Sequence, residues 1–240
     1  MNTEYFPTPH VNVSGLLLVN KPKGITSFDV IRILRSKTGL SKMGHGGVLD
    51  KNATGLLIVG VGKATKKLSI LLEGSKKYTT TIVIGAGSDT HDWLGHRWVY
   101  KSVPKNITLS TIQELLSTSF TGTIQQKPPL YSALKKEGKK YYQYALSGES
   151  LEISAREVDI FSLRCVSYIQ KSYQAQLVLS IECSKGTYIR SLARDIGLQL
   201  GSVGVVKDLC RTHIGNYSLA NAIPLSRITS LEDIQKAVIS

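Results

Sequence analysis

The stretch Gly44-His45-Gly46-Gly47-Val48-Leu49-Asp50-Lys51-Asn52-Ala53-Thr54-Gly55 sets one carboxylate in a glycine-rich turn and runs straight into Leu56-Leu57-Ile58-Val59. The glycines around Asp50 predict a tightly folded backbone that exposes the acid and admits a close ligand. The same pattern also suits a surface turn in which Asp50 bonds only its own backbone. The apolar run that follows reads as a buried strand.

On the N-terminal side, Leu16-Leu17-Leu18-Val19 predicts another short strand, ended by the turn Asn20-Lys21-Pro22-Lys23-Gly24. Ser27 is the expected N-cap of a helix to about residue 37, with Phe28, Ile31 and Leu34 on one face and Gly39 past its end. On the C-terminal side, a helix is expected over residues 64–72. The β-branched run over residues 77–86 predicts a strand, and the polar residues 88–96 a loop. A helix over residues 109–119 would take Thr108 or Ser110 as its cap. A strand over 121–126 leads into the extended Lys127-Pro128-Pro129, and a short helix over 141–146 lies between Gly138 and Gly148. Two alternating runs, 153–166 and 172–183, read as paired antiparallel strands. A helix over 187–200 carries Ile189, Leu192, Ala193, Ile196 and Leu200 on its apolar face, and a strand follows near 205–213. Residues 1–13, with Pro7 and Pro9, are expected to form a loose arm. No repeat or linker divides residues 14–240, so one domain is expected there. This order predicts an α+β fold with a largely antiparallel sheet, because the even βαβ alternation of a doubly wound fold is missing.

A chain of 240 residues, 42% apolar, can bury a sizeable core. No apolar run approaches the roughly 18 residues that cross a bilayer, and Met1-Asn2-Thr3-Glu4 does not open a signal peptide. Cys165, Cys183 and Cys210 show no CxxC spacing and the five His are dispersed. A disulfide framework and a zinc site are therefore not expected, and a reducing cytoplasm is.

The 30 Lys plus Arg against 17 Asp plus Glu give a net charge of +13, which points to a polyanionic partner. The cations recur in small clusters (Lys63/Lys66/Lys67, Lys76/Lys77, Lys135/Lys136, Lys139/Lys140) with Tyr78, Tyr131, Tyr141, Tyr142 and Tyr188 among them. Interleaved cations and aromatic rings suit a groove that follows phosphates and stacks unpaired bases. A basic membrane-surface protein is disfavoured, since no strongly amphipathic basic helix is evident.

Familiar catalytic signatures are missing: there is no GxxxxGK[ST], no GxGxxG after a strand, no HExxH and no GxSxG. What remains is Asp50 in its loop, Tyr78 on a basic strand start, and Lys185-Gly186-Thr187-Tyr188-Ile189-Arg190 opening a helix. Gly186 and Thr187 would present free N–H groups at a helix N-terminus to an anion. Arg190 could pair with a carboxylate such as Asp50 and keep it charged, or be an ordinary surface arginine.

Blocks in a fixed order carry a resemblance. They are residues 15–27 with Asn20-Lys21-Pro22, residues 44–55, Lys76-Lys77-Tyr78, Pro128-Pro129-Leu130-Tyr131-Ser132-Ala133-Leu134-Lys135, and residues 183–190. Together they resemble the TruB family of pseudouridine synthases, which isomerise the uridine at position 55 in the T-loop of tRNA. The resemblance implies a mixed, mainly antiparallel central sheet flanked by helices, with the active-site cleft across the sheet. It implies Asp50 as the nucleophile, attacking either ribose C1′ or uracil C6. Tyr78 would stack on the target base and share in removing the C5 proton, Arg190 would pair with Asp50, and Tyr188 would line the pocket. His45 would occupy the space the flipped uridine leaves. Asp92 matches an acidic loop near the site, Leu209 and Arg211 a pocket-lining stretch, and Lys21 an RNA-binding position. The implied partner is the tRNA T-arm, with no cofactor, no metal and no obligatory protein partner.

Two departures stand in the central block. Where the family has His-Thr-Gly and Asp-Pro-Leu, this chain has His45-Gly46-Gly47 and Asp50-Lys51-Asn52, which is expected to loosen the loop. The chain is expected to lack the small C-terminal RNA-binding PUA domain of many relatives. The alternatives are a pseudouridine synthase for another RNA, or a tRNA-binding folding factor.

Overall fold

A computed structural model describes residues 13–239. All of the expected N-terminal arm except Val13 lies outside the described residues.

The predicted strands are present and most join one sheet. Alternating and apolar runs form β1 (Gly15–Lys21), β3 (Thr54–Val61) and β4 (Lys76–Ile84), and the start of the glycine-rich stretch, expected as a turn, pairs with β3 as the short strand β2 (Met43–Gly46). A short hairpin follows, β5 (Ala86–Ser88) with β6 (Trp98–Tyr100), then β7 (Gly122–Gln126). The basic pair β8 (Lys135–Lys136) and β9 (Lys139–Lys140) forms a second small hairpin. Then come β10 (Arg156–Lys171), β11 (Gln174–Cys183), β12 (Gly204–Ile214), β13 (Tyr217–Ser218) and β14 (Ile223–Pro224). The main sheet has the order β14-β1-β3-β12-β4-β11-β10-β7, with β2 on β3 and β13 on β12. Only β1–β14 and β3–β12 pair in parallel, so the sheet is mixed and mainly antiparallel.

The helices are α1 (Ser27–Thr38), α2 (Leu68–Leu71), α3 (Leu109–Ser119), α4 (Tyr141–Ser147), α5 (Ile189–Gln199) and α6 (Leu231–Ala237). Three local expectations need correction. The cap of α1 is Thr26, not Ser27: the Thr26 hydroxyl accepts from Asp29 N at 3.1 Å and the Asp29 carboxylate accepts from Thr26 N at 2.9 Å. That closed capping box outcompetes a lone serine. The helix expected over 64–72 is a 3-10 segment, Gly62–Lys67, followed by the single turn of α2. The Thr65 hydroxyl donates to Gly62 O at 2.9 Å, competing with α-helical bonding at its start. Helix α5 begins at Ile189, with Tyr188 as its cap residue, so Gly186 and Thr187 precede the helix.

The register places α1, α3, α5 and α6 on one face, while Leu68 of α2 packs with Leu56 and Ile58 on the other. Tyr78 pairs with Ile181 and Arg211, and Arg211 with Gly55, so these positions share a face. On that face β4 and β11 bury Ile82, Ile84, Leu177, Leu179 and Ile181 under α3 and α5. Further across it, Leu57 and Val59 pack with Val30 and Leu34 of α1 and Ile234 of α6. Between these two helix-covered halves lies the strip of sheet that carries Tyr78, Leu209 and Arg211. A cleft opens there.

Candidate active site

The Asp50 loop is held from three sides. Leu49 N donates to the Ser27 hydroxyl at 2.9 Å, so the serine freed from capping anchors the loop to the start of α1. Gly24 N donates to Lys51 O at 2.8 Å, and Asn52 Nδ2 donates to Lys207 O at 3.0 Å, at a bulge of β12. Ala53 N closes the turn on Asp50 O at 3.0 Å. The two departures from the family pattern thus have local counterparts. The Asn52 side chain ties the loop to β12, and a Cβ at Gly46 would meet the Leu72 side chain at 3.1 Å.

The glycines serve packing within the protein. Gly55 has φ 101°, and a Cβ there would stand 2.4 Å from Arg211 O. Gly47 has φ 71°, with the Arg211 guanidinium 3.2 Å from where its Cβ would be. Arg211 and its strand approach both glycines closely, and Gly47 also lines the cavity described below. Arg211 is buried and spends its donors on the loop: Nε to Leu56 O at 2.9 Å and Nη2 to Gly47 O at 2.9 Å. It therefore frames the cleft by fixing the loop backbone.

Asp50 meets Arg190 across the cleft. Arg190 Nη2 donates to Asp50 Oδ1 at 3.1 Å, and Nε lies 2.9 Å from Oδ2 without hydrogen-bond alignment. The pair is one directed bond and one charge contact. The remaining guanidinium donors reach Thr90 O at 3.0 Å and Tyr131 O at 3.1 Å. The Arg190 side chain is 7% exposed and that of Asp50 is 38%, so the cation is built into the wall and the carboxylate faces the opening. An arginine fork suits this task because its geometry is rigid and its charge permanent.

Asp50, Tyr78, Tyr188, Arg190, Leu209 and Arg211 line one cavity of about 540 Å³. That is the range of small-ligand sites. Burial raises the Tyr78 phenol above its ordinary pKa, opposed by the nearby Arg211, so the ring enters the cavity as a neutral phenol. Lys76 also lines the cavity; burial lowers its pKa and its ammonium donates to Leu72 O and Gly74 O.

The other expected site residues do not line this cavity. Lys21 is fully buried, its ammonium donating to Pro22 O at 3.0 Å and Ile25 O at 2.7 Å. It shapes the turn whose Gly24 bonds Lys51, and its place in the core keeps it from an RNA phosphate. Burial pushes its pKa down to about 8 against the pull of Asp50. Asp92 is buried in a bridge with Val206, and its carboxylate accepts from Leu94 N at 3.0 Å. Burial raises its pKa, with the Asp50 charge adding to the rise. His45 sits on β2, half-buried, its pKa lowered by burial and by Arg211; its Nδ1 is buried without a partner.

Gly186 and Thr187 line the cavity but stand ahead of α5 rather than at its first turn. Tyr188 N donates to Gln126 Oε1 at 2.8 Å, and Arg156 donates to Gly186 O. Sequence reasoning did not single out Ser27, Gln126, Thr90 or Lys76 for these contacts. Ser27 and Lys76 stand inside the blocks that carried the resemblance. The backbone carbonyls that hold Arg190 have no side-chain signal at all. Among the described residues no group of His, Cys, Asp or Glu is placed to hold a metal ion.

Residues 35–189 match the family described as TruB family pseudouridylate synthase (N terminal domain). The chain is 39% identical over 228 residues to tRNA pseudouridine synthase B of Mycoplasma capricolum, covering 93% of this chain and 77% of that protein. It is 38% identical over 231 residues to the Bordetella pertussis protein of the same name, covering 95% and 92%. Among solved structures, it is similar to a chain of the archaeal box H/ACA sRNP Nop10-Cbf5 complex, with a TM-score of 0.65 at 22% identity. That superposition covers 95% of this chain and 60% of the other. A chain of a Cbf5-Nop10-Gar1 complex matches with a TM-score of 0.63 at 26% identity, over 88% of this chain and 52% of that one. The chain thus spans little more than half the length of these solved chains.

Proposed function

The chain belongs to the TruB family of pseudouridylate synthases, and on that premise we propose that it converts uridine to pseudouridine at position 55 in the T-loop of tRNA. The observation that carries the reading is the Asp50–Arg190 pair, set in the lining of a cavity that also takes in Tyr78, Tyr188 and Leu209. A single carboxylate held by a fixed cation beside stacking rings suits chemistry on a base taken out of its helix.

The isomerisation breaks the C1′–N1 bond and forms C1′–C5; C5 loses its proton and N1 ends protonated, so atoms balance without a co-reactant. Asp50 supplies the oxygen that bonds transiently to C1′ or C6, and Arg190 keeps that oxygen oriented. The detached base must turn in place, which the ring of Tyr78 and the apolar wall at Leu209 would permit while excluding water. A Tyr78 phenol held neutral by burial takes the C5 proton only by passing on its own, so stacking is the larger part of its task.

Mapping pseudouridine in tRNA from cells with and without the protein tests the reading. Loss of the modification at position 55 alone is the expected result, and an unchanged map would refute it. Asp50→Asn should abolish product while tRNA affinity stays within about threefold, since the phosphate contacts are untouched. A variant that retains turnover would remove Asp50 from the chemistry.

A further inference from the structure

Helix α5 delivers Tyr188 and Arg190 to the cleft, yet it starts without a side-chain cap of its own. The missing partner comes from another element. Gln126, the last residue of β7, is 1% exposed and turns its carboxamide onto the Tyr188 backbone. Its Oε1 accepts from Tyr188 N at 2.8 Å and its Nε2 donates to Tyr188 O at 3.1 Å. Both main-chain groups of one residue are held by one planar amide, which fixes position and orientation together.

Neighbouring contacts continue the same connection. Gln126 pairs in register with Arg156 of β10. The Arg156 guanidinium lies 5.2 Å from the centroid of the Tyr188 ring and donates to Gly186 O. One residue beyond Gln126, Lys127 O accepts from the Ser191 hydroxyl at 2.8 Å and from Arg194 Nη2 at 3.1 Å. Tyr131 O, further along the same segment, accepts from Arg190 Nη2. The end of β7 is therefore tied to the first turns of α5 at residues 188, 190, 191 and 194.

We propose that Gln126 is a positioning residue for the isomerisation: its carboxamide clamps the Tyr188 backbone and so sets Tyr188 against the base and Arg190 against Asp50. This rests on the function proposed above. Gln126 touches neither substrate nor Asp50; it acts by fixing where α5 begins. A shift of that start by about 1 Å would misplace both groups, and displacements of this size cost on the order of a hundredfold in rate.

The test is a double-substitution cycle read by single-turnover pseudouridine formation at saturating enzyme, with tRNA affinity measured alongside. Gln126→Ala should slow the chemical step at least about tenfold while affinity changes by less than about threefold. Gln126→Glu keeps the acceptor for Tyr188 N–H and loses the donor, so its rate should fall between those of Gln126→Ala and the natural chain. Placed on Arg190→Lys, Gln126→Ala should cost clearly less than it does in the natural chain, because one of the two groups it positions is already lost. Full additivity of the two substitutions, or an unchanged rate in folded Gln126→Ala, overturns the clamp. If Gln126→Ala does not fold, Gln126→Glu takes its place in the cycle, and additivity or an unchanged rate overturns the clamp in the same way. A natural chain that forms no pseudouridine in tRNA would refute the proposed function itself, a result distinct from either outcome of the cycle.

Discussion

Arg190→Lys perturbs the site at its most connected point. The guanidinium serves Thr90 O, Tyr131 O and Asp50 Oδ1 with directed bonds and stands against Asp50 Oδ2. A lysine ammonium at the end of an unbranched stem reaches Asp50 or the carbonyls, but not both sets. Leaving the two carbonyls unpaired costs about 1 kcal/mol each, the lower end of the range because Thr90 and Tyr131 are only half-buried. The weakened ion pair adds at most about 1 kcal/mol, since the Asp50 side chain is 38% exposed and partly screened. The sum, about 2–3 kcal/mol, lowers the melting temperature by roughly 5–10 °C for a chain of this size. Catalysis should suffer more, about a hundredfold, because the carboxylate loses its orientation as well as its partner. Thermal melting followed by circular dichroism gives the first quantity. Release of tritium from tRNA labelled at uracil C5 gives the second, since C5 loses its hydrogen in the reaction. A variant that melts within about 2 °C of the natural chain and keeps its rate within about threefold would refute the assignment of Arg190 as the framework of the site.

Other perturbations follow from the same contacts. Gly55→Ala forces a Cβ to within 2.4 Å of Arg211 O at φ 101°, and should destabilise by at least about 2 kcal/mol in chemical denaturation; a neutral result would mean the β3–β12 junction is looser than described. Lys21 titrates at about 8 when folded and at 10.5 as the unperturbed group. Between those values the unfolded chain holds a proton that the native chain has released, so stability should rise with pH in that window. Comparing unfolding free energies of the natural chain and Lys21→Met across it isolates the contribution, and a flat difference would count against a desolvated ammonium. With a net charge of +13, the 240-residue chain should lose tRNA affinity steeply as salt rises. Filter binding at several salt concentrations measures the slope, and a salt-insensitive affinity would argue against phosphate contact as the main source of binding.

Much of the strand content was legible because its cause is local. Alternation in β11 and the wholly apolar run of β3 announce themselves within a few residues. The Thr108 cap and the Gly39 terminus of α1 are equally local, and both stand where the pattern put them. Misreadings arose where two short-range signals competed. Thr26 and Ser27 both suit a cap, and only the placement of Asp29 decides between them. At the start of α5 the helical pattern runs back to residue 187, but an amide 62 residues away takes the Tyr188 N–H first.

The sequence by itself determined the chemistry available: one acid in a glycine-rich loop, the tyrosines and the arginine that could serve it, and a positive charge that selects a polyanion. Side-chain chemistry is a property of the residue, and motif order survives without coordinates. Only the tertiary structure decided which groups face the cavity and which support it. Asp50 and Arg190 meet across 140 positions of chain. Lys21, basic in sequence and plausible as an RNA ligand, is instead consumed by backbone carbonyls in the core, and Arg211, though it lines the cavity, spends its donors on carbonyls as well. The physical reason is that a buried charge must find hydrogen-bond partners, and the carbonyls that supply them become neighbours only when the sheet and its loops have closed.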